Sequence, residues 1–124
     1  SYVEQLTAGK VKGNVVPSLL SSKGSVIRVD AHNGFAFPAI SLAIKEITST
    51  CKKYGIAAAS VSRSHHFGQA GRHVELLAEQ GLIGLMFGNT PKAIPPWGGS
   101  NLYLEPIQLL FLRLEIMMLL WSLT

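Results

Sequence analysis

The chain has 124 residues, of which 48% are apolar and 15% charged, with a formal net charge of +4. This length suits one small domain with a hydrophobic core, and the composition excludes a disordered chain. The basic excess suits an anionic ligand such as a nucleotide. The longest Lys/Arg run, Lys52-Lys53, is too short to indicate nucleic-acid binding. A single cysteine, Cys51, excludes an intrachain disulfide and favours a reducing, cytoplasmic setting.

The residue pattern predicts helices and strands that alternate along the chain. Ile40, Ile44, Ile47 and Cys51 recur at the spacing of one helical face, and glycines mark the ends of the predicted helices. The first residues carry neither an initiator Met nor an apolar signal segment, so we interpret the chain as a piece of a longer protein. The predicted elements are a helix (Tyr2 to Ala8), a loop through Gly24, a strand (Ser25 to Asp30), a helix from near Pro38 to Tyr54, a strand (Ile56 to Val61), a helix from Ala70 closed by Gly81, and a strand (Leu82 to Phe87).

The order strand, helix, strand, helix, strand predicts an α/β fold with parallel pairing and right-handed crossovers. In such sheets, ligands bind beyond the carboxyl ends of the strands. Two unusual loops follow strands directly, SRSHHFG at 62–68 and GNTPKAIPPWGGS at 88–100. We therefore expect His66 and the Asn89-Thr90 step to lie near each other at that edge.

The adjacent histidines His65 and His66 have three interpretations. A metal site is disfavoured, because no Cys or carboxylate stands at ligand spacing nearby and His73 lies seven residues further on, across a predicted helix start. One histidine could be a solvated loop residue while the other satisfies a backbone carbonyl. Alternatively, one is a general acid/base, since histidine titrates near neutral pH. Spacing alone leaves the last two open, and neither the Rossmann nor the Walker A glycine pattern occurs.

Longer segments carry a family resemblance. They are VDAHNGFAFPAISLAI at 29–44, GIAAASVSRSHHFGQAGRHVELLAEQGLIGLMFGNTPKAIPPWGG at 55–99 and, more loosely, SYVEQLTAG at the start. Within them, S-x-H-[FY]-G appears from Ser64 to Gly68. Together they resemble the type-2 malate/L-lactate dehydrogenase family, a non-Rossmann family that includes ureidoglycolate dehydrogenases and cyclic-imine reductases. The resemblance implies that the strand-helix-strand-helix-strand units are an incomplete part of that family's fold.

The resemblance also implies a chemistry. It indicates an NAD- or NADP-dependent oxidoreductase that interconverts a small 2-hydroxy acid, similar to malate or lactate, and its 2-keto acid. It implies that His66 is the catalytic histidine, which exchanges a proton with the substrate oxygen, and that His65 stands where the family often has Asn. It implies that Thr90 contacts the dinucleotide, with Asn89 beside it. It implies a homodimer, and we expect neither a metal, a nucleic acid nor a membrane as partner.

The chain departs from the family pattern at both ends. A Ser-His-Gly segment and an arginine near the family's N-terminus are not in this chain. We therefore divide it into a partial dehydrogenase-like domain, 1–99, and an apolar tail, 100–124. Permitted codons for residues 101–111, when read from the third base, yield P-I-F-G-T-N-P-I-A-F, which resembles the family's own continuation. The tail is thus predicted to be a frame-shifted continuation.

We expect this tail to form an apolar appendage, helical if structured, with little specific packing. A membrane helix is disfavoured, because Arg113 and Glu115 lie in the middle of the apolar run. We expect the isolated chain to have little or no activity. The alternative function is a non-catalytic fragment that binds nucleotide weakly or associates with a full-length subunit, which NADH titration and light scattering would distinguish.

Overall fold

A computed structural model describes residues 2–88 and 115–122 of the chain. The elements of these two segments confirm the predicted alternation from residue 26 to residue 88. They are α1 (Tyr2–Thr7), β1 (Ser18–Lys23), β2 (Val26–Asp30), α2 (Ala36–Tyr54), β3 (Ile56–Ser62), α3 (Ala70–Ala78), β4 (Leu82–Gly88) and β5 (Glu115–Ser122).

These strands form one five-stranded sheet in the order β1-β2-β3-β5-β4. Strands β2 and β3 are parallel neighbours joined through α2, as the sequence predicts. Strand β4 runs in the same direction as β3, since β5 is antiparallel to both. The expectation of parallel pairing is therefore confirmed for β2 and β3. Strands β3 and β4 are parallel in direction but do not pair with each other.

The core lies between this sheet and α2. Ile40, Ile47 and Cys51 on α2 are fully buried, and Ile44 is partly buried against the core, which confirms the predicted helical face. On the sheet, every second residue of β3 from Ala57 to Val61 is buried, as are Ile27 and Val29 of β2. The small alanine side chains of β3 leave room for α2 to approach the sheet closely.

Helix α2 ends where the sequence predicts. Gly55 adopts a left-handed conformation at φ 84°, and its N–H donates to the carbonyl oxygen of Cys51. A residue with a Cβ is strained at this φ, so glycine is favoured as the stop. Strand β3 therefore begins immediately after α2, and its carboxyl end is placed beside that of β2.

The segment Ser18–Lys23 was expected to be loop and is instead β1, antiparallel to β2. A turn at Gly24, with φ 56°, closes the hairpin. The register shifts between Leu19 and Ser21, which indicates a bulge. Because a bulge interrupts the alternation of buried and exposed side chains, the sequence of β1 lacks the two-residue period of a regular strand.

The prediction of a helical tail is also wrong for Glu115–Ser122. This segment forms β5 between β3 and β4. Its backbone pairs with the whole of Ile56–Ser62 on one side and of Leu82–Gly88 on the other. A short, continuously apolar run does not distinguish strand from helix by its period. The facing edges of β3 and β4 carry backbone N–H and C=O groups that an extended segment satisfies and a helix does not. None of the helices among residues 2–88 and 115–122 has both the length and the hydropathy of a membrane span.

Candidate active site

Two loops leave the carboxyl ends of β2 and β3 side by side. One runs from 31 to 35 and the other from 63 to 69. Three successive backbone hydrogen bonds join the first loop to the last residue of β3 and to the second loop, so the two loops form one connected edge. These bonds run from Ala31 N–H to Ser62 O (3.0 Å), from Asn33 N–H to Arg63 O (2.7 Å) and from His65 N–H to Gly34 O (3.2 Å).

Gly34 allows the first loop to lie this close to its surroundings. A Cβ at this position would come within 2.5 Å of Val15 Cγ2 and 2.9 Å of the carbonyl oxygen of Ala31. Both distances are shorter than a methyl group tolerates, so the tight packing requires glycine. The loop that accepts the His65 N–H is therefore fixed by packing as well as by hydrogen bonds.

His66 is exposed in the middle of the second loop, while its neighbours are held. Ser64 is buried at 3% exposure, and Phe67 packs against the hydrophobic core. Within residues 2–88 and 115–122, the imidazole of His66 has no hydrogen-bond partner. His65 is half-buried and bonds through its backbone N–H to the first loop. The loop thus presents an accessible imidazole on a backbone that is anchored on both sides.

The anchor after His66 involves His73 of α3. His73 is 7% exposed, and its Nε2 donates to the carbonyl oxygen of Phe67 at 2.7 Å. Its ring also lies 6.1 Å from the ring of Phe37, centroid to centroid. His73 is therefore a buried group that holds the loop. Among the described residues, no group of three or more His, Cys, Asp or Glu side chains could hold a metal ion.

Phe67 also connects the His66 loop to the end of β4. A Cβ at Gly88, the last residue of β4, would lie 2.4 Å from Phe67 Cε1, so the ring packs directly against the Gly88 backbone. The His66 loop and the end of β4 are therefore neighbours, as the strand order predicts. The proposed cofactor contacts, Asn89 and Thr90, follow Gly88 but lie outside the described residues, and their roles stay predictions.

Sequence reasoning missed an ionic cluster at the same edge. Asp30, the last residue of β2, is 4% exposed, and its Oδ1 accepts from Arg63 Nε at 3.0 Å and from the His32 backbone N–H at 2.8 Å. Arg63 Nη2 also donates to Asp30 Oδ2. The hydrogen bond from Arg63 is the main cause that holds the pKa of the Asp30 carboxyl below its usual value, and the His32 N–H adds to it against the effect of burial.

The imidazole of His32 extends this cluster to β1. Its Nδ1 lies 3.1 Å from Arg63 Nη2, and its Nε2 lies 2.8 Å from Ser18 Oγ. A guanidinium can only donate, so Nδ1 is the acceptor and a neutral His32 carries its proton on Nε2. That proton is donated to Ser18. The cluster of Ser18, Asp30, His32 and Arg63 therefore joins three neighbouring strands at their shared edge.

A local signal for this cluster is present in the sequence. Asp30 ends an apolar strand and is followed by HNG, which indicates a turn, while Arg63 follows the next strand. A carboxylate and a guanidinium at the carboxyl ends of adjacent parallel strands are within reach of each other. What the sequence does not provide is the left-handed backbone of His32, Asn33 and Arg63 (φ 53°, 62° and 52°), which gives the cluster its geometry.

Known proteins share this arrangement of elements. Residues 1–105 match the family model described as malate/L-lactate dehydrogenase. The (2R)-3-sulfolactate dehydrogenase (NADP(+)) of Chromohalobacter salexigens is 43% identical over 100 residues, which are 81% of this chain and 30% of that protein. The chain thus spans about 30% of the length of this curated relative.

Solved structures agree in fold. The Δ1-piperideine-2-carboxylate reductase of Pseudomonas syringae superposes with a TM-score of 0.67 at 37% identity, over 71% of this chain and 27% of that one. The sulfolactate dehydrogenase of Methanocaldococcus jannaschii superposes with a TM-score of 0.72 over 84% of this chain and 30% of that one; at 24% identity, this likeness concerns the fold alone. The family match over most of the chain, with this agreement in fold, establishes that the chain belongs to the malate/L-lactate dehydrogenase family.

Proposed function

We propose that this chain carries the proton-exchanging part of an NAD(P)-dependent oxidoreductase that interconverts a small 2-hydroxy acid and its 2-keto acid. The observation that supports this most is the accessible imidazole of His66 on a loop anchored on both sides. This loop leaves the carboxyl end of a parallel strand, the edge at which ligands bind in such sheets. The relative from Chromohalobacter bears the name of an NADP(+)-dependent dehydrogenase of sulfolactate, which is a 2-hydroxy acid.

In this proposal, His66 moves the proton of the reaction. When bound, the nicotinamide supplies or accepts the hydride at the substrate carbon. In the direction of reduction, the His66 imidazolium donates a ring N–H proton to the carbonyl oxygen, which becomes the hydroxyl group. In the reverse direction, the neutral imidazole accepts that proton. A histidine suits both directions near neutral pH, because both protonation states are accessible there.

Two features of the described residues support a substrate and cofactor site beside His66. The imidazole has no hydrogen-bond partner among them, so its ring nitrogens are available to a substrate. The Phe67–Gly88 contact brings the loop to the end of β4, from which the chain continues directly to Asn89 and Thr90. We propose that Thr90 contacts the dinucleotide and that Asn89 lies beside it.

We further propose a cytoplasmic homodimer and little activity for residues 1–124 alone. The single cysteine, Cys51, is buried, and one cysteine cannot form an intrachain disulfide, which suits a reducing compartment. The dimer follows from the family resemblance. The low activity follows from the share of the Chromohalobacter relative that the chain matches, which is 30%.

The test is an assay of NADH and NADPH oxidation with pyruvate, oxaloacetate and 3-sulfopyruvate. It uses this chain and a chimeric protein in which residues 1–100 replace the matched segment of the Chromohalobacter enzyme. We expect 2-keto acid reduction by the chimeric protein and little by the chain alone. A chimeric protein that is folded by circular dichroism and binds NADPH, yet reduces none of these acids, would refute the proposed function. Full activity of the chain alone would refute the proposal that it has little activity by itself.

A further inference from the structure

The ion pair between Asp30 and Arg63 lies directly before the loop that carries His66. Arg63 makes a bidentate contact with Asp30 through Nε and Nη2, and both carboxylate oxygens are used. Such a fork fixes the plane of the guanidinium as well as its distance. Because Asp30 is buried at the end of β2, Arg63 is attached to a rigid part of the sheet.

The backbone of Arg63 is held in a conformation that a non-glycine residue rarely adopts. Its φ is 52°, and those of His32 and Asn33 on the facing loop are 53° and 62°. This conformation is unfavourable for a residue that carries a Cβ. The Asn33 N–H donates to the Arg63 carbonyl at 2.7 Å, which ties two of these residues together. Such conformations persist only where several contacts maintain them, and they cluster at functional sites.

Contacts on both sides of His66 fix the backbone of the short loop that carries it. Three residues before His66, Arg63 is fixed by Asp30; one residue after it, the Phe67 carbonyl is fixed by His73 at 2.7 Å. Between these anchors, the His65 N–H bonds to Gly34. These contacts therefore set the direction in which the His66 imidazole leaves the backbone. The contact on the N-terminal side of His66 depends on a single guanidinium, that of Arg63.

We propose that Arg63 is a positioning residue for His66, and that it acts through its bidentate contact with Asp30. The inference rests on the proposed function, in which His66 exchanges a proton with the substrate. The left-handed Arg63 sets the path of the loop, and its guanidinium maintains that path by binding the buried carboxylate. A lysine at this position keeps the charge but makes one contact in place of the fork, so it leaves the loop free to rotate.

The first measurement uses the full chain and does not depend on activity. Nuclear relaxation of the His66 backbone amide and of its imidazole C–H groups is compared in the wild type, Arg63→Lys and Arg63→Gly. Arg72→Lys is the matched control, since the Arg72 guanidinium forms its ion pair with the exposed Glu75 on α3 and not with a carboxylate next to the loop. We expect faster and wider motion of His66 in both Arg63 variants and no change in the control. Unchanged motion of His66 in folded Arg63 variants would overturn the proposal.

The second measurement uses the chimeric protein described above and separates kcat from KM. We expect Arg63→Lys to lower kcat roughly tenfold to a hundredfold, since small misplacements of a reacting group cost that much, while KM for the cofactor changes little. If Arg63→Lys lowers only the melting temperature and leaves kcat unchanged, the ion pair is merely stabilising and the proposal is wrong. If instead His66→Ala keeps full kcat, the proposed role of His66 fails, whatever the relaxation data show about Arg63.

Discussion

Asp30 is a buried carboxylate whose charge is stabilised by Arg63 and by the His32 N–H. Asp30→Asn removes that charge at nearly constant volume, and we expect it to lower the free energy of unfolding at pH 7 by about 1–3 kcal/mol. The folded pKa of Asp30 is below its ordinary value of 3.8, so the unfolded chain binds the proton more readily. The contribution is therefore complete above that value and is lost as pH falls through the folded pKa.

Urea unfolding of the wild type and Asp30→Asn as a function of pH measures this contribution. The two stability curves should be separate at neutral pH and converge in acid. If the difference in unfolding free energy between the two proteins stays constant into strongly acidic solution, the Asp30 carboxylate does not make the predicted contribution. Glu75→Gln is the control, because its partner Arg72 is exposed and a surface ion pair contributes little.

His73 holds the His66 loop through its hydrogen bond to the Phe67 carbonyl oxygen. His73→Phe keeps an aromatic ring against Phe37 but leaves the Phe67 carbonyl without its donor. We expect a loss of about 1–3 kcal/mol in the free energy of unfolding, the cost of an unsatisfied buried polar group. Chemical denaturation at pH 7 measures it. Wild-type stability in this variant would mean that water or another group replaces the bond.

At the scale of the elements, the contact between the His66 loop and β4 depends on Gly88. Gly88→Ala places a methyl group 2.4 Å from Phe67 Cε1, so the ring or the strand must move. We expect a destabilisation of about 1–3 kcal/mol, typical of overpacking. Gly71→Ala is the matched control, since a Cβ at this position in α3 meets nothing within 4 Å and alanine favours the helix. Thermal melts that rank the two variants in the opposite order would contradict this packing.

Elements with a regular period were predictable from the sequence. The apolar face of α2 and the glycine after it were correctly predicted, because Ile40, Ile47 and Cys51 recur at helical spacing before Gly55. Strand β1 was not, because its bulge breaks the alternation on which a strand prediction depends. Local pattern thus identifies elements whose side chains repeat, and it misses those whose backbone pairing is irregular.

At the scale of the whole molecule, contacts between residues far apart in the sequence were the features that the sequence did not predict. The strand order correctly placed the His66 loop at the carboxyl ends of the parallel strands β2 and β3. Asp30 and Arg63 are 33 residues apart, and their contact needs the left-handed backbone that no local pattern of these residue types indicates. The insertion of β5 depends equally on the gap between β3 and β4, which exists only in the folded sheet.

The central claim, that His66 exchanges the proton of the reaction, is tested most directly by one comparison in the active chimeric protein. The steady-state kcat for reduction of a 2-keto acid is measured with His66→Ala and with the neighbouring His65→Ala. We expect His66→Ala to lower kcat by roughly 10²- to 10⁴-fold, as for loss of a general acid/base, and His65→Ala to change it little. A His66→Ala protein that retains its kcat, or an equal loss in both variants, would contradict the account.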